Sequence, residues 1–449
     1  MGVERLSPTD VMELACDVTG TSMQVAAVLV LDNAVSLDVV VVREALKRRI
    51  TAIPRLRQRL LDVPFGCGRP VWVDDFSFDI SHHVGSAGCA SPGDEQALMD
   101  VVAETVTRPL RAGRPLWSAT VVTGLAGGRS ALVLVFHHVL ADGIGGLAVL
   151  GLLVDGTPID ADEDFPRRPP RPRELLIDVL GSAGRTAARL PAGLARLRAA
   201  AVELGATSNP QAPRCTLNRP IGTGRALGVA RADVVAVRAA ARAQGGTIND
   251  FVLTAVTGAV RSVLANRGET VDQLVISMPV SGRRRASAVK LGNQVGVIPV
   301  TVPTTGEPTQ RLAAIARITR DRKTATPGSS SALLGPVFRT LAKIGIFGWF
   351  INRQRMISTF VSNLRGPEHR LTFCRMPVVD VIPVPMITGN ITVAFAALSY
   401  AGGLNVTVIA DPKLCPDLSD LVAAVQRESD VLTDAEMPNR AGVASNLLP

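Results

Sequence analysis

The sequence predicts an α/β protein built of two halves, and three observations carry that prediction. Its 449 residues are 47% hydrophobic and 19% charged, enough at roughly 150 residues per domain for two or three units with substantial cores. Apolar strand-like runs alternate with helical patterns from Met23 to Val154 and again beyond Arg231, the usage of sheets covered by helices. Between these stretches lies Pro158 to Pro220, which contains FPRRPPRPR and SNPQAP, a composition that favours a linker over a third core.

Local pattern then supplies the elements in order. In the first half, Met23 to Leu31, Leu116 to Thr123 and Ala131 to Phe136 are strand-like, while Leu37 to Arg49, Asp94 to Val106 and Gly145 to Val154 have helical periodicity. The linker carries one Arg/Ala/Leu-rich helix, expected over Glu174 to Leu204. Beyond it, helices are expected at Arg231 to Ala243, Thr247 to Ala265 and Pro308 to Arg322, and strands at Gln273 to Met278, Gln294 to Val302 and Ser358 to Ser362. Further strands run to Ile409, before a last helix near Asp417 to Leu432. The expected division is a first half over 1–157, a linker over 158–220, a second half over 221–435 and a tail over 436–449.

Composition narrows the function classes. Forty-eight basic residues against 39 acidic ones give +9, and only five are lysines. An arginine excess of this kind reports a GC-rich genome as much as a function; the partners it suggests are an anionic ligand or a membrane surface, and no nucleic acid is expected. Six cysteines, at 16, 67, 89, 215, 374 and 415, form no CxxC pair, which argues against a zinc site or a disulfide framework and for a reducing compartment. The start, MGVERLSPTD, lacks the basic and apolar regions of a signal peptide. Val381 to Ala410 has no charged residue, but Pro383, Pro385, Gly389, Asn390, Gly402, Gly403 and Asn405 break it at strand-length intervals, so buried strands fit better than a spanning helix. A second apolar stretch, PVFRTLAKIGIFGWFI at Pro336 to Ile351, reads either as a basic, Trp-bearing helix lying in a membrane interface or as a core helix between the halves.

The chemistry concentrates in VLVFHHVLADGIGG. His137 and His138 follow an apolar strand, and Asp142-Gly143 stand four residues on, before a small-residue helix start. A strand end followed by a short loop projects one imidazole into a cleft, and an aspartate a turn later can anchor the loop. His138 would act as general base toward a hydroxyl, an effect worth roughly 10² to 10⁴ in rate. A second pair, His82-His83 in DISHHVGSAG, lacks an aspartate at that offset and reads as packing or surface. Gly143, Gly145 and Ala148 spell GxGxxA, but a loop carrying both histidines separates strand from glycines, so the tight turn of a dinucleotide site is missing.

HHVLADGIGG closely resembles the motif of the bacterial wax ester synthase/diacylglycerol acyltransferase family, within the CoA-dependent acyltransferases of the chloramphenicol acetyltransferase and condensation-domain type. Other segments agree in order along the chain. LSPTDVMELACD is similar to the family's start, RPLW (Arg114 to Trp117) to its PLW box, and TINDFVLTAV to its ND helix. PVSGRRR with LGNQVG (Pro279 to Gly296) resembles its strand and Gly-Asn segment, and VSNLRGP (Val361 to Pro367) its SNxxGP box. NDFVLT, where the family often has Val-Leu-Ala, and the short apolar residues of ELACD are departures that bear on chain-length specificity.

The resemblance implies a two-domain fold of the chloramphenicol acetyltransferase type with its site at the domain interface. It implies direct acyl transfer from acyl-CoA to diacylglycerol or a long-chain alcohol, with no acyl-enzyme, no metal and no bound cofactor, acyl-CoA being a substrate. His138 would be the base, His137 its structural neighbour, and Asp142 a loop anchor paired with Arg283 of PVSGR; a buried aspartate needs a fixed cation, and arginine holds orientation well. Arg284 and Arg285 compete with Arg283 for that role. Asn249, Asp250, Asn293, Ser362, Asn363 and Gly366 would line the substrates or donate to the oxyanion, and Pro115 and Trp117 would lie beside the catalytic strand. Thr247-x-x-Asp250 is equally a capping box, and Ser362 to Gly366 equally a turn. The expected location is cytoplasmic, with peripheral attachment to the inner membrane or to lipid inclusions. Two alternatives stay open: an acyltransferase of polyketide-type lipid alcohols, and a catalytically weak paralogue that binds lipid inclusions.

Overall fold

Strand β1 (Gln24–Asp32) alternates its side chains between two separate cores, and this decides the architecture. Leu29 and Leu31 pack with helices α1 (Val39–Arg49) and α3 (Gly143–Leu153), whereas Ala26, Val28 and Val30 pack with α2 (Glu95–Thr107) and with residues of the second half, Leu227, Val229, Ala394 and Ile409. The two halves therefore share a hydrophobic layer. In this computed structural model all residues are described except 1–2, 8–9, 12, 15–16, 18–22, 33–36, 112, 189–210, 282–294, 325–340, 342–343 and 435–449.

The first sheet has six strands in the order β11 (Thr372–Phe373), β12 (Met376–Val384), β1, β6 (Arg129–His137), β5 (Trp117–Leu125) and β4 (Val84–Gly88). Its first two strands come from the second half of the sequence. β1 is paired along β6 on one side and along β12 on the other, Val28 opposite both Val133 and Ile382. Residues 372–384, from the expected second half 221–435, complete the sheet of the first. Composition could not signal it, since an apolar strand suits the centre of either sheet.

The second sheet runs β7 (Ala226–Asp233), β14 (Gly403–Ala410), β13 (Val393–Tyr400), β10 (Thr359–Arg365), β8 (Gln273–Ser281) and β9 (Val295–Pro303). β10 is parallel to both β13 and β8. Helices α5 (Val234–Ala243), α6 (Ile248–Asn266), α7 (Pro308–Thr324) and α9 (Leu418–Asp434) contribute to its core. By length and apolarity α6 would pass for a membrane span, yet it is the central helix of this core, with Phe251, Val252, Leu253 and Val256 all buried. The charge-free stretch from Val381 to Ala410 resolves into the end of β12, β13 and β14, as expected. Between the halves, Arg231 bridges Glu95 at 2.5 Å and Asp380 at 3.1 Å.

In the linker, α4 (Pro172–Ala188) begins two residues before its expected start, and 189–210 lie outside the described residues. Its Leu175 packs against Val71 and Val73 of a small hairpin, β2 (Gln58–Leu61) and β3 (Val71–Asp74). Of the expected helix over Pro336 to Ile351, residues 336–340 and 342–343 lie outside the described residues. Leu341 is helical, Ile344 and Gly345 form a turn, and helix α8 (Phe347–Ile351) follows. Phe347 is 2% exposed and packs with Met23, Leu341 and Met386, whereas Trp349 is 62% exposed and lies under the Arg353 guanidinium. The described residues 344–351 thus combine a core anchor with an exposed apolar edge.

Candidate active site

The apolar run RSALVLVFH forms β6, and its last residue is His137. Both histidines are fixed through their backbones: His137 N donates to Leu116 O at 3.0 Å, and His138 N to Met23 O at 2.8 Å. Their side chains then differ. His137 is buried, with Nδ1 accepting from Val139 N at 3.1 Å and Nε2 3.3 Å from Asp17 Oδ2. Because Nδ1 accepts, Nε2 carries the proton, and the ring braces the loop. His138 is half-buried, and its Nδ1 lies 3.1 Å from Glu13 Oε1.

Glu13 and Asp17, which contact the two histidines, are positions that the sequence reading passed over. They stand four residues apart in LSPTDVMELACD, where the family resemblance drew attention to the apolar residues instead. Two carboxylates at i and i+4 in a chain with two adjacent histidines were the available signal. Burial disfavours charge on His138, but the Glu13 carboxylate outweighs that through its charge and hydrogen bond, with Asp142 and Asp10 adding to it, so the imidazole pKa is raised.

Asp142 is buried and caps α3, its carboxylate accepting from Gly145 N at 2.7 Å. That satisfies one of the first-turn donors that helices leave unpaired, and holds the His138 loop to the helix. A Cβ at Gly143 would come within 3.0 Å of Leu364 on β10, so the second half abuts the motif here with no room to spare. Arg283 and Asn293 lie outside the described residues.

The remaining expected residues separate into three groups. Asn249, Asn363 and Gly366 line one cleft of about 700 Å³. Gly366 is there for a steric reason, since a Cβ would meet Ser399 O at 2.5 Å. Ser362 falls on the opposite face of β10 from Asn363, the face that carries Phe360 and Leu364 into the cores shared with the first half. Asp250 does not fit the expected substrate-contacting role. It is 2% exposed, and its two oxygens accept from Thr247 N and Oγ1 at 2.8 Å and from Thr319 Oγ1 at 2.6 Å. Its role is the capping box. Pro115 and Trp117 are likewise packing residues: both are buried, and Trp117 Nε1 donates to Leu56 O at 2.7 Å. His83 is stacked on Trp117 with ring centroids 4.7 Å apart, the packing role expected of it.

A histidine at the seam of two joined α/β sheets, with a carboxylate on its Nδ1, is the layout of an acyltransferase that uses a histidine base. Solved structures agree on the fold. The wax ester synthase/diacylglycerol acyltransferase from Marinobacter aquaeolei VT8 matches with a TM-score of 0.70 over 97% of this chain and 99% of that one, at 21% identity. The starter condensation domain of rhizomide synthetase, solved with C8-CoA and Leu-SNAC, matches with a TM-score of 0.64 over 96% and 94% of the chains, at 16% identity. Sequence carries the comparison further. Residues 6–252 match the wax ester synthase/diacylglycerol acyltransferase catalytic domain, and 291–432 match the WS/DGAT C-terminal domain. A relative in Mycobacterium tuberculosis named "Probable diacyglycerol O-acyltransferase tgs1" is 31% identical over 400 residues, 85% of each chain. The chain belongs to the wax ester synthase/diacylglycerol acyltransferase family and is an acyltransferase.

Proposed function

We propose that this enzyme moves a long-chain acyl group from acyl-CoA to diacylglycerol or a long-chain alcohol, giving triacylglycerol or wax ester and free CoA. The observation that carries the mechanism is the Glu13–His138 contact. With Nδ1–H held by Glu13, proton transfer falls to Nε2. The acceptor hydroxyl gives its proton to Nε2 as its oxygen attacks the thioester carbonyl. The tetrahedral intermediate then collapses with cleavage of the C–S bond, and the leaving thiolate takes the proton back from the imidazolium. General base catalysis of this kind is worth roughly 10² to 10⁴ in rate. One of Ser362 and Asn363, which point to opposite faces of β10, or else Asn293, would donate to the oxyanion, whose stabilisation is typically worth roughly 3 to 4 kcal/mol. No metal or resident cofactor takes part in this scheme.

The acceptors are water-insoluble, and we read the enzyme as a cytoplasmic protein that works at a lipid surface. Ile344, Ile346 and Trp349 supply an exposed apolar edge. It lies close to the site: Met23, whose carbonyl holds His138 N, packs against Phe347 in the same segment.

The test is product analysis with purified enzyme, labelled palmitoyl-CoA and competing diacylglycerol and hexadecanol. Labelled triacylglycerol or wax ester, absent with His138→Ala, supports the reading. Lipid association without turnover would make the protein a binding paralogue, and transfer only to other lipid alcohols would move its acceptor class.

A further inference from the structure

The cleft that takes in Asn249 and Asn363 carries an excess of positive charge. One wall is α5, which presents Arg238 and Arg242 to it, one helical turn apart and so on one face. Arg238 is half-buried and Arg242 exposed, and among the described residues neither has an ion-pair partner. Across the cleft Arg365 is held by Glu368 at 2.6 Å. Glu368 is the one carboxylate among the described lining residues, and it also feels the charge of Arg238. Three arginines against one glutamate leave the cleft cationic. The first turn of α6 opens into the same space through Thr247 and Ile248, with its N-terminus already capped by the buried Asp250 carboxylate. The rest of the lining is uncharged and includes Leu364, the side chain that packs on Gly143 of the histidine motif.

A ligand that suits these arginines and the uncharged remainder of the lining has a phosphorylated head and a long uncharged arm. We propose that Arg238 and Arg242 bind the phosphates of the nucleotide end of acyl-CoA, with the pantetheine arm running past Asn249 and Asn363 toward His138. The assignment rests on the acyl-CoA reading above and adds where the donor is gripped. A cleft of about 700 Å³ lies within the usual range for a site of this type, roughly 300 to 1,000 Å³. A phospholipid headgroup offers the same phosphate chemistry, so the experiment must separate the two sources.

The variants are Arg238→Ala/Arg242→Ala and, as the charge-conserving control, Arg238→Lys/Arg242→Lys, each checked for an unchanged unfolding midpoint. Calorimetric binding of free CoA should weaken roughly tenfold or more in the alanine pair, largely recover in the lysine pair, and weaken in wild type as salt is raised. In turnover the KM for palmitoyl-CoA should rise by a similar factor with kcat little changed. Palmitoyl-pantetheine, which lacks the nucleotide phosphates, should show no such rise. Unchanged CoA binding and KM in the alanine pair would overturn the proposal. So would unchanged CoA binding with lost binding to phosphatidylglycerol vesicles, which would make the cleft a headgroup site. Wild-type CoA binding that depends on the arginines, in a protein that transfers no acyl group, would sink the acyl-transfer reading and leave this one standing.

Discussion

Glu13 Oε1 stands 3.1 Å from Nδ1 of His138, so a carboxylate from the N-terminal segment orients the base at the end of β6. The pair favours the imidazolium, and the His138 pKa is raised. A general base works when neutral, so the acid limb of the pH–rate profile should lie above the usual imidazole range. Glu13→Gln keeps a hydrogen-bond acceptor but removes the charge, leaving burial to dominate, and should move that limb to lower pH while reducing the rate at the plateau. The stabilisation from this pair is fully present below the unfolded-state imidazole pKa and is lost as pH rises through the raised folded value. A pH–rate profile of kcat/KM with an unmoved acid limb would exclude this role for Glu13.

His138→Ala should abolish transfer with the fold intact, by a factor of roughly 10² or more. His137→Ala should keep partial activity and lose stability instead, because its ring joins Asp17 to the backbone of Val139. Rates and denaturation midpoints measured on both variants separate the two roles; a His138→Ala enzyme with more than about a tenth of wild-type rate could not have lost a general base.

Asp142→Ala removes the α3 cap, a change that typically costs about 0.5 to 2 kcal/mol. If Arg283 is its buried ionic partner, breaking the pair costs more, roughly 3 to 5 kcal/mol. Urea denaturation of Asp142→Ala, Arg283→Ala and the double variant should then show strong coupling. Additive losses would pass the partner role to Arg284 or Arg285.

Ile346→Ser/Trp349→Ser changes the exposed apolar edge and leaves the buried Phe347 in place. This variant should fold normally, pellet less with anionic liposomes, and lose activity on emulsified diacylglycerol while keeping it on a soluble short-chain alcohol. Liposome pelleting equal to wild type would remove the edge from lipid contact.

Much of this was legible because it is local. Strand and helix periodicity lies within a few residues, and the Thr247–Asp250 capping box is written in four, although the bond from Thr319 to Asp250 is not. What escaped the sequence was pairing at long range. His137 meets Asp17 across 120 positions, and nothing in LSPTDVMELACD says which acid faces which ring. Pro336 to Ile351 was opaque for another reason: a segment apolar nearly all round does not reveal that Phe347 points inward and Trp349 outward.

The placement of β12 beside β1 has a mechanical consequence. A strand from late in the chain is stitched into the sheet of the first half, so the chain crosses between the two sheets twice more after the linker. The chain therefore cannot be cut into working pieces at its linker: residues 6–252 alone would leave β1 with a bare edge where Ile382 and its neighbours belong.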